Sequence, residues 1–317
     1  MGRLQRRRGK QGNLRRAKMS KQVEKELRGE LVAEGGPLCP GCGASLALQY
    51  ALNALGKNTV LLTAPGCACM GTLTFDLQTL VKVPQIFTLF ENPAAPATGV
   101  KAGLDRKGME MNILCFIGDG GTVDLGLGGV TGVAERGDPV IYICYDNEAY
   151  MNTGIQRSGA TPYGAWTMTT PVGKKLKGKG RFGKDMPGIM ASSGAAYVAT
   201  ASIAYIDDYV QKVRRAEEVT ANDEGMAYIH VQAPCPTGWR FQTKETIKVA
   251  RLAVQSGLWP LYEIHEGECR LTWRPKERAP VREYLEAQGR FGHLSDEQND
   301  LIQAHVNEMW KKYDEAN

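Results

Sequence analysis

Residues 112–147 read NILCFIGDGGTVDLGLGGVTGVAERGDPVIYICYDN, and this stretch decides the fold. Asn112–Ile117 and Val140–Tyr145 are short, β-branched and aromatic apolar runs bounded by turn residues, so they predict buried strands. A Gly-rich helical segment reaching about Glu135 separates them. Each run ends in polar residues, Gly118-Asp119-Gly120-Gly121 after the first and Asp146-Asn147 after the second. The same alternation extends outward. A helical spacing (Leu46, Tyr50; Ala47, Ala51) covers Ala44–Leu55, and Thr59–Thr63 (TVLLT) predicts a strand ending at Pro65-Gly66-Cys67. A helix around Ile206–Val219 precedes a strand at Ala227–Gln232, which ends at Pro234-Cys235-Pro236. Strands alternating with helices indicate an α/β fold, a parallel sheet with helices on both faces.

Residues 150–190, rich in Gly, Thr, Pro and Lys, predict a long loop, a length that usually carries function. Its Lys174, Lys175, Lys177, Lys179, Arg181 and Lys184 suit a solvated face or a guide for anions equally well. The last third predicts a short hairpin (Leu261–Glu263 with Arg270–Trp273) and a polar helix from Asp296 to Tyr313. Three parts result: a basic tail (1–21), a main domain (22–245) and a C-terminal appendage (246–317).

Composition, 43% hydrophobic and 23% charged, is that of a soluble globular protein. No apolar run approaches the roughly 20 residues of a membrane-spanning helix, and no apolar segment follows the basic N-terminus, so an intracellular, cytoplasmic chain is expected. There, eight cysteines point to metal ligation or buried thiols rather than disulfides. The net charge of +5 is local: without the nine Lys and Arg of residues 1–21, 30 basic face 34 acidic side chains. Nucleic-acid binding would rest on the tail alone, and the favoured reading is a solvated, flexible extension able to dock on an acidic partner subunit.

Asp119 and Asn147, 28 positions apart, each follow a predicted strand at its carboxyl end, where doubly wound sheets bind ligands. Glycines there admit phosphate oxygens close to the backbone, and a carboxylate, an amide oxygen and a carbonyl suit Mg²⁺. A lone Gly-Asp-Gly is as readily a turn; the second oxygen-bearing residue shifts the balance toward a metal-diphosphate site. Cys39-x-x-Cys42, Cys67 and Cys235 form a second set. Their spacing admits either zinc or a 4Fe–4S cluster, and Cys69 rivals Cys67. Cys115 and Cys144 lie mid-strand as core thiols, Cys269 is a surface-hairpin residue, and His230, His265, His293 and His305 are structural or surface residues.

Gly118-Asp119-Gly120 followed by Asn147 resembles the Mg²⁺-diphosphate motif of thiamine-diphosphate enzymes. The longer runs are more specific: residues 147–158 (NEAYMNTGIQRS), 160–165 (ATPYGA), 184–187 (KDMP), 198–204 (VATASIA), 233–239 (APCPTGW) and 257–263 (GLWPLYE). Together they resemble the β subunit of pyruvate:ferredoxin oxidoreductase and its 2-oxoacid relatives, from about residue 35 onward. The resemblance implies a thiamine-diphosphate-binding domain in which Asp119, Asn147 and the Ala149 carbonyl hold Mg²⁺. Gly118, Gly120, Gly121 and Thr122 would lie against the diphosphate, with Ala44, Cys67, Tyr150 and Thr153 also at the cofactor and Asn152 facing thiazolium and substrate as the catalytic residue. It implies one 4Fe–4S cluster on Cys39, Cys42, Cys67 and Cys235. The implied reaction is oxidative decarboxylation of a 2-oxoacid, with electrons passing to ferredoxin or a similar acceptor and the acyl group to coenzyme A. Alpha- and gamma-type subunits would supply a pyrimidine-binding glutamate and the coenzyme A site, and a ferredoxin-like subunit would carry electrons onward. Ala44 stands where the family often has an acidic residue, which keeps phenylglyoxylate or oxalate open as substrate. The rival of another class is a non-catalytic, zinc-stabilised regulatory subunit.

Overall fold

A computed structural model describes residues 27–73 and 79–314; the basic tail lies outside the described residues. Strand β1 (Thr59–Thr63) is followed by β2 (Gln85–Phe87), β3 (Asn112–Gly118), β4 (Ile141–Asp146), β5 (Tyr197–Ser202) and β6 (Ala227–Gln232). These six pair in parallel in the spatial order β2-β1-β3-β4-β6-β5. An antiparallel hairpin, β7 (Leu261–His265) and β8 (Glu268–Trp273), extends the sheet beyond β5.

The central strands β4, β5 and β6 are buried at every position. Both faces are therefore covered, as parallel sheets require. On one face pack α1 (Gly43–Leu55) and α6 (Ile206–Ala221); α1 buries the expected Ala47 and Ala51 together with Leu48 and Leu52, while Leu46 and Tyr50 are only partly buried. The hydroxyl of Tyr209 on α6 donates to the Ala47 carbonyl at 3.0 Å, satisfying a polar group inside that contact. The other face is covered by α3 (Ala94–Arg106), α4 (Leu127–Arg136) and α5 (Met186–Ser192). A one-turn helix α2 (Cys67–Gly71) follows β1, and α7 (Pro236–Trp239) follows β6. The helices α8 (Thr246–Gln255), α9 (Val281–Glu286) and α10 (Asp296–Asp314) build a third core around Trp239, Tyr284, Phe291, Val306 and Trp310. Among the described residues no helix is long and apolar enough to cross a membrane.

The sequence reading did not assign β2, α3, β5, α8 or α9, and α5 begins within the segment 150–190 that it read as a loop. Strand β5 is Tyr-Val-Ala-Thr-Ala-Ser, whose small and hydroxylic residues lack the apolar signal of its neighbours. It is a strand because β6 and β7 pair with it on either side. The Gly-rich segment after β3 is not one helix: Gly120–Leu125 forms a wide π-type turn and α4 starts at Leu127. Connections that leave β1 toward β2 and then return to β3 open a crevice at the carboxyl ends of β1 and β3.

Candidate active site

That crevice holds a cleft enclosing about 570 Å³, its open mouth included. Its lining includes Gly66 and Cys67 after β1, Gly118–Gly121 after β3, and Asn147, Ala149, Tyr150, Met151, Asn152 and Thr153 after β4. Phe90 and Tyr145 complete the wall. Glycine is needed where the walls close in: a Cβ at Gly120 would stand 2.5 Å from the Tyr150 ring. Two residues expected at the cofactor, Thr122 and Ala44, do not line this cleft. Thr122 is fully buried beneath the cleft, its hydroxyl donating to the Gly118 carbonyl at 2.9 Å and facing Tyr142 Oη at 3.2 Å. Ala44 is buried in α1, where its methyl group packs in the core.

Asp119 is buried, and its Oδ2 accepts from the Ser158 hydroxyl at 2.5 Å. The other oxygen, Oδ1, lies 3.0 Å from the side-chain amide of Asn147, which also meets the Ala149 carbonyl oxygen at 2.8 Å. With nitrogen inward the amide donates to both oxygens, the orientation that satisfies it among the described residues; with oxygen inward it would meet two other oxygens, which only a cation among them would satisfy. Their separations match the octahedral edge of about 2.9 Å that follows from Mg–O distances of about 2.0–2.1 Å. Burial, and then the Asp146 carboxylate nearby, raise the pKa of Asp119 against the Ser158 hydrogen bond; a cation among these oxygens would reverse that. Glu148 is likewise pushed up to about 7 by burial, with Arg290 opposing.

The four cysteines come together on loops beside this cleft. Gly43 makes this possible, because a Cβ there would stand 2.7 Å from both the Ala233 carbonyl carbon and the Pro234 nitrogen. Its N–H donates to the Pro234 carbonyl at 3.1 Å, pinning the Cys39–Cys42 loop against the Cys235 loop. Burial pushes the Cys67 thiol up to about 12 and Cys42 up to about 11, and the neighbouring cysteines add to both shifts. Cys235 Sγ accepts the Gly238 N–H at 3.3 Å. Among the described residues no group of three or more His, Cys, Asp or Glu is gathered as a single metal ion requires. Cys115 and Cys144 are buried strand residues and Cys269 is exposed.

The C-terminal thiamine-pyrophosphate-binding domain of thiamine pyrophosphate enzymes matches residues 64–231. The chain is 50% identical to pyruvate synthase subunit PorB of Methanothermobacter marburgensis over 88% of its own length and 96% of that protein. It belongs to the β subunits of the 2-oxoacid oxidoreductases. Another such β subunit, that of an NADH-dependent phenylglyoxylate dehydrogenase from Aromatoleum evansii, is 43% identical over 89% of this chain and 63% of the relative. The fold matches 2-oxoglutarate:ferredoxin oxidoreductase from Magnetococcus marinus, with a TM-score of 0.57 at 21% identity, over 91% of this chain and 97% of the other. The match to the thiamine-pyrophosphate domain begins just after β1 and ends within β6, so it spans the loops that line the cleft of this β subunit.

Sequence reasoning set Lys179 on a solvated or anion-guiding face, which its burial corrects, and did not find the roles of the other residues that fix these loops. Lys179, buried at 3% exposure, donates to the carbonyls of Gly159 (3.0 Å), Ser158 (3.4 Å) and Thr161. Trp239 donates its indole N–H to the Asn147 carbonyl at 2.8 Å, and Arg290 pairs with Glu148. The Arg290–Glu148 contact joins residues 142 positions apart, and no local spacing announces it.

Proposed function

We propose that this chain is the cofactor-bearing subunit of a complex that oxidatively decarboxylates a 2-oxoacid of the pyruvate type. The observation that carries the reading is two groups of residues at one end of one sheet: the Asp119 carboxylate with the Asn147 amide and Ala149 carbonyl, and four cysteines. Asp119 Oδ1, Asn147 Oδ1 and the Ala149 carbonyl would hold Mg²⁺, with Gly118, Gly120 and Gly121 against the diphosphate. Bound thiamine diphosphate supplies the electron sink for decarboxylation, and a 4Fe–4S cluster on Cys39, Cys42, Cys67 and Cys235 supplies one-electron acceptance. Cys39, Cys42 and Cys235 each push the Cys67 thiol up, as cysteines gathered around one centre would, and a cluster takes each of four cysteines on a separate iron atom.

This chain's residues bind and orient. Ser158 keeps one Asp119 oxygen turned away from the proposed Mg²⁺ nest, so the other faces Asn147. Phe90, stacked with Tyr150 at 5.8 Å between centroids, walls the cleft against water. Asn152 lines the cleft and would offer its amide to developing negative charge on the substrate. Met70, Phe87, Leu89 and Leu125, on segments flanking the cleft, are about half exposed or more. Such a rim fits a partner subunit that supplies the pyrimidine-binding glutamate and the coenzyme A contacts, with a ferredoxin-like carrier taking the electrons. An aromatic 2-oxoacid is the second reading, favoured by the phenylglyoxylate relative.

The deciding experiment is metal and acid-labile sulfide analysis of anaerobically purified complex, wild type and Cys235→Ala. Iron and sulfide at about four each per chain, lost in the variant, are expected for a 4Fe–4S centre. Stoichiometric zinc without sulfide would establish the zinc-stabilised alternative.

A further inference from the structure

Glu148 stands between Asn147, whose side-chain amide faces Asp119, and Ala149, whose carbonyl faces that same amide, and its backbone is left-handed, with φ 65°. A non-glycine residue persists there only where its surroundings over-determine it. Three contacts do so. The Glu148 N–H donates to Asp146 Oδ1 at 2.8 Å, and the Thr161 hydroxyl donates to the Glu148 carbonyl at 2.6 Å. The third is the ion pair with Arg290, in which the two side chains are only 8% and 2% exposed. Arg290 is itself locked, its guanidinium lying 3.9 Å from the centroid of Trp239 and its Nε donating to Gln288 at 2.9 Å. Trp239 in turn donates to the carbonyl of Asn147, the residue before Glu148. One stack reaching in from the C-terminal segment thus grips two successive residues of the loop.

We propose that Arg290 and Trp239 are positioning residues that hold the left-handed Glu148 turn and so point the Asn147 and Ala149 oxygens toward Asp119. The inference rests on the reading of those oxygens as the Mg²⁺ nest. The conformation makes a sharp demand: glycine adopts positive φ without steric cost, so glycine at 148 should make the ion pair dispensable, whereas glutamine should not.

The test uses the full complex, stripped of cofactor and divalent cations by a chelator. Mg²⁺-dependent thiamine diphosphate binding is measured by calorimetry, alongside the melting temperature. Arg290→Met should weaken apparent Mg²⁺ affinity about tenfold, equivalent to about 1.4 kcal/mol. Arg290→Met with Glu148→Gln removes the unpaired buried carboxylate and should regain melting temperature but stay weak for Mg²⁺. Arg290→Met with Glu148→Gly should regain Mg²⁺ affinity to within about threefold of wild type, because the strain is gone. If Arg290→Met does not fold, the two double variants carry the comparison. Equal Mg²⁺ affinity in those doubles would overturn the proposal and leave the pair a core ion pair only. Asp119→Ala tests the underlying reading separately: unchanged Mg²⁺ dependence there would remove the nest itself.

Discussion

A single methyl group at Gly43 should separate the two centres functionally. In Gly43→Ala the new Cβ would lie 2.7 Å from backbone atoms of Ala233 and Pro234, where ordinary contact starts at 3.4 Å. The obstruction is backbone, so the Cys42 loop and the Cys235 loop must part by about 0.7 Å and strain their 3.1 Å hydrogen bond from Gly43 to Pro234. Overpacking of this kind costs about 1–3 kcal/mol, offset by up to about 1 kcal/mol of helix propensity at the start of α1. A net loss of about 1–2 kcal/mol lowers the melting temperature by only about 2–5 °C, so the protein folds. Under the proposed reading, cysteines that share one rigid cluster would not absorb the same displacement. The expected result is iron and sulfide reduced at least severalfold per chain, with thiamine diphosphate binding retained, since the cleft residues do not touch this contact. Iron content and visible absorption of anaerobic protein read the first, calorimetry the second. A variant that carries full iron and sulfide and melts as wild type would refute the idea that Gly43 sets the spacing of the cysteine loops.

Two further outcomes are expected. Lys179→Met strands the carbonyls of Ser158, Gly159 and Thr161, so stability should fall by about 2–3 kcal/mol, with faster protease cleavage in residues 172–178; an unchanged cleavage rate would mean the loop is held by other contacts. The purified chain alone should not reduce a viologen dye with a 2-oxoacid, and added partner subunits should restore the rate. Full turnover from a preparation shown by mass analysis to hold no partner would end the shared-site reading.

The fold was legible where burial wrote itself into composition. TVLLT, NILCFI and AYIHVQ are apolar enough to be read as strands, and β1 and β6 keep the bounds their sequences suggest. Strand β5 was not legible because Tyr-Val-Ala-Thr-Ala-Ser carries no strong signal without its two neighbours. At the site, Asp119, Asn147 and the glycines could be found because a strand end and a turn are local features. Ser158, Arg290 and Trp239 act through contacts with residues far away in the chain, and a side chain that orients another leaves no period in the sequence. For Thr122, position in a motif does not say that the hydroxyl turns inward to Gly118.

The sheet is strongly polarised along its strands. The cleft and the cysteine loops occupy the carboxyl ends, whereas the connections entering β3, β4 and β6, residues 107–111, 137–140 and 222–226, turn at the opposite end. Those turns touch neither centre, so they are the places to insert an affinity tag, a fluorophore or a surface tether. Immobilised on an electrode by the 222–226 turn, the protein would face its cleft and the exposed apolar residues around it toward solution.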